Sequence, residues 1–194
     1  MSDSSLALRL RHWQAVAWLT LGLSDRALTI WQALIDDHGL RLEWVSSRAH
    51  LLAQSGRLRE ALTDYDWLTR QPGCQASDWF NLGFLLEQAQ RHAEACEAFR
   101  QAVTLNPELD RAWFGMGLCL HRLGRHDEAI QALTRNTELQ PMSPHGWVEL
   151  ARIHEQRQEP DEVLKIIRHL NGFEPKVAAE LMRETGIGLP TGRT

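Results

Sequence analysis

The chain has 194 residues, 43% hydrophobic and 24% charged, with 7 Pro and 13 Gly, a balance that excludes a disordered or collagen-like chain. A formal charge of -4, with 19 Arg and only two Lys scattered along the sequence, argues against a nucleic-acid partner, because phosphate binding rests on clustered excess cations. Three cysteines (Cys74, Cys96, Cys119) lack the spacing of a disulfide framework or a zinc site and fit a reducing cytoplasm, while eight Trp against one Tyr demand a structural reason.

From the N-terminus, residues 1–7 read as a tail. Arg9, Arg11 and His12 before the apolar run Trp13 to Leu23 imitate a signal peptide. The run is too short to span a bilayer, and it forms half of a unit that recurs downstream. Stepping by 34 residues aligns Ala15, Ala49, Gly83, Gly117 and Ala151 in one small column, and Ala27, Ala61, Ala95, Ala129 and Val163 in another. A turn column holds Gly22, Gly56, Gln90, Gly124 and Gln158. A bulky column holds Trp31, Tyr65, Phe99, Leu133 and Ile167. Trp79, Trp113 and Trp147 align, and Pro107, Pro141 and Pro175 close the last three units.

Each unit predicts two helices. In the third, Trp79, Leu82, Gly83 and Leu86 share one face of a first helix, and Ala95, Phe99 and Ala102 share one face of a second. After the turn come Arg26, Glu60, Glu94, Glu128 and Glu162, four acids of five placed for the positive end of a helix dipole. Ser143-Pro144 and Glu159-Pro160 read as helix starts. The spacing therefore predicts five helical pairs at 8–41, 42–75, 76–109, 110–143 and 144–175. A capping helix follows at 176–186, with Val177 and Leu181 inward and Lys176, Glu180 and Arg183 outward. Gly186, Gly188 and Pro190 end it, leaving 187–194 as a loose tail. The small columns mark close helix approach, the bulky column fills the space beside it, and stacking neighbours completes the core.

With these residues in view, the chain resembles the tetratricopeptide repeat family. The match is closest from Trp79 through Leu82, Gly83, Leu86, Ala95, Phe99 and Ala102 to Pro107, and from Trp113 through Gly117, Leu120 and Ala129 to Pro141. Departures sit at the ends, with Arg11 and Val45 in aromatic slots and His154 and Val163 where Leu and Ala are usual. The resemblance implies an all-α, right-handed superhelical solenoid of helix-turn-helix repeats. It also implies a non-enzymatic cytoplasmic scaffold or adaptor whose concave groove, lined by first helices, binds a peptide or helix of a partner protein.

The resemblance places Phe80, Phe84, Phe114, Leu118 and Val148 on the groove face, about 100° around the helix from the core stripe. Asn81 and Gln88 would meet a peptide backbone, and Arg111, Arg122 and Arg152 a carboxylate. Trp13, Trp44 and Trp67 fall outside the core columns and join them as further contacts. The family's two-carboxylate clamp for heat-shock chaperone tails is rejected: only Asn81 and Arg111 match it, and Ser46, His50 and Gly115 stand at its other slots. A chaperone for secretion or pilus subunits and a regulatory subunit of a larger enzyme remain as alternatives, with self-association left open. The scattered histidines and the Gly115, Gly117 pair, which has no strand before it, support neither a metal site nor a cofactor, and no membrane partner is expected.

If this register is right, Ala129→Arg drives a long charged side chain between close helices. The variant should lose helicity and melt lower than the parent in circular dichroism; an unchanged melt would refute the register.

Overall fold

A computed structural model describes residues 3–188, and all regular structure among them is helical. The helices pair as α1 (Asp3–Thr20) with α2 (Ser24–His38), α3 (Leu42–Gln54) with α4 (Leu58–Thr69), and α5 (Ala76–Gln88) followed by α6 (His92–Leu105). They continue as α7 (Asp110–Arg122) with α8 (His126–Leu139), α9 (Pro144–Gln156) with α10 (Pro160–Asn171), and α11 (Pro175–Thr185). Every second helix starts 34 residues after the one before it, and so do the first helices from α3 to α9. Helix α1 departs from this phase by reaching back to Asp3, into the segment expected as a tail. Residues 189–194 of the expected C-terminal tail, Pro190 included, lie outside the described residues.

The chain divides into two compact units, residues 1–89 and 90–194. In the first, Ala15, Ala27, Ala49 and Ala61 are fully buried around Trp31 and Tyr65. In the second, Ala95, Ala129, Ala151 and Val163 are buried around Phe99, Leu133 and Ile167. The small positions are small for a steric reason. A Cβ on Gly117 would sit 2.6 Å from Leu133 Cγ on α8, and one on Gly115 would sit 2.6 Å from Phe99 Cζ on α6. Neither glycine belongs to a ligand loop: each lets a bulky-column side chain of a neighbouring helix seat against the α7 backbone.

The turn inside each pair is built once and reused. Gly22, Gly56 and Gly124 have φ of 75°, 72° and 73°, and Gln90 and Gln158 adopt the same left-handed conformation at 60° and 58°. The next amide reaches back to the helix, from Leu23 N to Trp18 O, Arg57 N to Leu52 O, Arg125 N to Leu120 O and Glu159 N to His154 O, all at 2.9 Å. This is the Schellman termination, which satisfies carbonyls the helix end would otherwise leave open.

The glutamates after the turn do more than face a dipole. Arg57, Arg91 and Arg125 each grip Glu60, Glu94 and Glu128 with two hydrogen bonds of 2.6–2.7 Å. These hydrogen bonds hold the three carboxyls below the usual glutamate range. The tryptophan column is half-buried rather than fully internal, because the indole N–H needs an acceptor. Trp113 Nε1 donates to Pro107 O at 2.9 Å and Trp147 Nε1 to Pro141 O at 3.0 Å, so each ring clips the turn before its own helix. At the C-terminal end α11 buries Ala178 and Leu181, keeps Val177 only half-buried, exposes Lys176, Glu180 and Arg183, and stops at left-handed Gly186.

One buried ion pair escaped the sequence reading. Arg48 on α3 donates Nε to Asp64 Oδ2 at 2.8 Å and Nη2 to Oδ1 at 2.6 Å, with Nη1 on Gln32 Oε1 at 2.7 Å. The two side chains retain only 13% and 6% of their exposure, and they line a 610 Å³ cleft among α2, α3 and α4. Two repeats later the same slots hold Met116 and Ala132, both buried, in a 680 Å³ cleft of the second unit.

Two outcomes follow. Replacing Gln158 by Gly removes the cost of a side chain at positive φ, so net stability should rise by about 0.5–1 kcal/mol and the melting temperature by a few degrees. Arg48→Met alone strands Asp64 and should cost about 3 kcal/mol in urea unfolding. The double variant Arg48→Met/Asp64→Ala, which copies the fourth repeat, should recover most of that loss.

Candidate peptide-binding surfaces

The candidate residues divide between the two units. On the first, helix α5 carries Phe80, Asn81, Phe84 and Gln88. Phe84 is 48% exposed and Phe80 half-buried, with the rings stacked at 6.5 Å between centroids. An exposed phenyl ring leaning on a second one is an apolar platform on a face that is otherwise polar. Gln88 is exposed beyond it. Asn81 is less available than expected, because its Nδ2 donates to Tyr65 Oη at 3.1 Å across to α4. Burial, reinforced by Asp78, pushes the Tyr65 phenol up to about 12, so it stays neutral at this contact.

On the second unit, α7 presents Phe114 and Leu118 and α9 presents Val148, all half-buried. Phe114 meets the edge of the His145 ring at 6.5 Å. Beside Leu118 lies a 480 Å³ cleft lined by His121, Arg122, Glu149 and Gln156. It is spanned by a 2.9 Å hydrogen bond between His121 Nε2 and Gln156 Oε1. The cleft offers both signs of charge and several donors next to apolar side chains, the chemistry that holds a peptide backbone and one bulky side chain. Arg111 and Arg122 are both exposed on α7.

Two expectations need correction. Arg152 does not await a ligand carboxylate: it donates to Glu149 at 2.7 Å and to both oxygens of Glu184 on α11 at 2.9 and 3.3 Å. Those two carboxylates, Glu184 first, raise its pKa further, so its charge is already matched. Trp44 is not a contact residue, because it is 3% exposed, with Arg41 stacked 4.8 Å from its ring centroid. Its signal was available in the repeat, since Trp44 shares a column with Ala112 and Gly146, both buried. Of the other tryptophans outside the core columns, Trp67 is half-buried and Trp13 is 62% exposed.

Among the described residues no group of three His, Cys, Asp or Glu could hold a metal ion, and no helix is long and apolar enough to cross a membrane. Cys96 and Cys119 are buried, and burial pushes the Cys96 thiol up, away from the reactive thiolate.

Comparison with known proteins agrees with this architecture. The tetratricopeptide repeat family model matches residues 46–110 and 85–135. No curated protein matches the sequence significantly. Among solved structures, a crystal structure of MamA superposes with a TM-score of 0.78 at 19% identity, covering 85% of this chain and 96% of that one. MamA 41-end from Desulfovibrio magneticus RS-1 gives 0.75 at 19% identity, covering 95% and 98%. YrrB, a repeat protein of the same type with an unusual peptide-binding site, gives 0.79 at 18% identity, covering 87% and 88%. Identities this low establish the fold, an all-α helical repeat, and leave the ligands of those proteins their own. The family model, the 34-residue phase and the paired helices agree: residues 46–135 match the tetratricopeptide repeat family, and the described helices on either side keep the same helical-repeat architecture.

Proposed function

We propose that the protein is a non-enzymatic cytoplasmic scaffold that binds a peptide or helix of another protein on the face lined by its first helices. The observation that carries this reading is Phe84, nearly half exposed and stacked on Phe80 at the middle of α5. An aromatic side chain so placed is unfavourable in water and suits an interface anchor, since aromatic anchors supply a large share of binding energy. Leu118 and its cleft on α7 and α9 repeat the pattern of an apolar anchor beside polar groups. YrrB, on a similar fold, has an unusual peptide-binding site, which supports peptide binding as a use of this architecture.

The test is affinity purification with mass spectrometry on the parent and on Phe84→Ser and Leu118→Ser, with circular dichroism as the folding control. Each substitution, at exposed Phe84 or half-buried Leu118, should leave the melt within a few degrees. Each should reduce recovery of the specific partners by roughly tenfold or more. Recovery of the same partners at the same level by both folded variants would overturn the proposal.

A further inference from the structure

Helix α1 carries a second apolar surface, distinct from the platform on α5. Leu6, Leu10 and Trp13 are 54%, 61% and 62% exposed, and Ala17 continues the line. Their spacing of i, i+4, i+7 and i+11 puts all four on one side of the helix. Four exposed apolar residues in a row are a stripe, unlike single surface leucines, which need no explanation.

The repeat shows what that stripe is shaped to meet. The slot of Ala17 recurs as Leu51, Leu85, Cys119 and Ile153, and all four are buried. The slot of Leu10 recurs as Trp44, Ala112 and Gly146, all buried, and as half-buried Asp78. A side chain at Gly146 would collide with Asn136 and Thr137 on α8, the second helix of the preceding repeat. The slot of Trp13 recurs as Asn81, which bonds Tyr65 on α4, and as Gly115, which faces Phe99 on α6. Later repeats therefore use these slots to seat the helix before them. On α1 they are open among the described residues.

Charge narrows the occupant. From Ser4 to Leu23 the sequence has no acidic residue, while Arg9, Arg11 and His12 lie on α1. Arg11 is matched by Asp37 at 3.4 Å. Arg9 lies at the flank of the stripe and, with Arg41 and Trp13, lines a 400 Å³ cleft between α1 and α3, where Glu43 is the one acidic lining residue against the two arginines. No described carboxylate is ion-paired with Arg9 or Arg41, whose guanidinium rests on the Trp44 ring, whereas ten described arginines have a carboxylate partner. A second copy of this chain offering α11 is a poor fit, because that helix turns Lys176, Glu180 and Arg183 outward.

We infer that the α1 stripe is a docking site for an acidic amphipathic helix of a partner protein, seated as the second helix of a preceding repeat would be. The partner's apolar face covers Leu10, Trp13 and Ala17. Its carboxylates reach Arg9 and Arg41.

The test uses the full chain and two fluorescent, hydrocarbon-stapled helices of about 18 residues, long enough to span α1. Both carry the same leucine stripe, flanked by Glu in one and by Lys in the other. Fluorescence anisotropy should show saturable binding of the Glu helix, weakening with salt, and at least roughly tenfold weaker binding of the Lys helix. Leu10→Gln/Trp13→Gln should abolish binding, and Arg9→Glu should weaken it, while Phe84→Ser leaves it intact. Equal binding of both probes, no binding, or binding indifferent to Leu10→Gln/Trp13→Gln would overturn the inference. So would a dimer of the parent in light scattering that the same double variant dissolves, since a second copy would then own the stripe.

Discussion

The fold depends on a steric match that leaves no room for one carbon atom. Where Gly117 meets Leu133 and Gly115 meets Phe99, an added methyl would lie well inside van der Waals contact. Within each unit, paired helices therefore approach at a distance set by backbone and one large side chain, and the buried small residues of the repeat columns recur there. Hydrophobic burial supplies the driving force, but the size match fixes the geometry, since larger residues at the small sites would separate the helices and smaller ones at the bulky sites would open cavities. The left-handed turn residue belongs to the same constraint. It returns the chain so that the second helix presents its small residue where the first comes close, and two repeats accept a strained glutamine to keep that path.

This explains why the fold was legible in the sequence. Size and backbone freedom are properties of single residues, so a steric rule repeated every 34 positions leaves columns that can be seen without coordinates. Properties that depend on pairs were harder to see. Glu60, Glu94 and Glu128 were visible as acids at a helix start, yet their partners Arg57, Arg91 and Arg125, on the same step, were overlooked. Arg48 and Asp64 lie on different helices, and only the facing of α3 and α4 makes them a pair. The tryptophans show the limit from the other side. The repeat aligned Trp113 and Trp147 in one column, and the structure adds their depth: each ring lies at the boundary, where its indole N–H donates to a proline carbonyl.

The candidate surface was less legible for a related reason. An arginine on an exposed face reads as available charge, and the sequence does not reveal a carboxylate that reaches it from another helix. Arg152 is neutralised by Glu184 from α11, 32 residues away. Arg135 takes Glu108 and Glu138, and Arg157 takes Asp127 and Glu159. Exposed pairs of this kind add little stability. A ligand carboxylate at these arginines would have to displace an internal partner before it gained anything.

Repeat slots thus separate into two kinds, and only one is free to vary for binding. Slots that meet the preceding second helix, such as those of Leu51, Leu85, Cys119 and Ile153, are buried and limited to apolar side chains. The slot of Phe84 carries no such limit. It holds Val16, His50, Phe84, Leu118 and Arg152 in successive repeats, spanning aliphatic, aromatic and charged chemistry. A position that is exposed or half-buried in every repeat, yet holds Phe in one and Leu in another, is one where packing does not dictate the residue. The apolar choices at Phe84 and Leu118 leave apolar surface in water, and the proposed association with another protein would cover it.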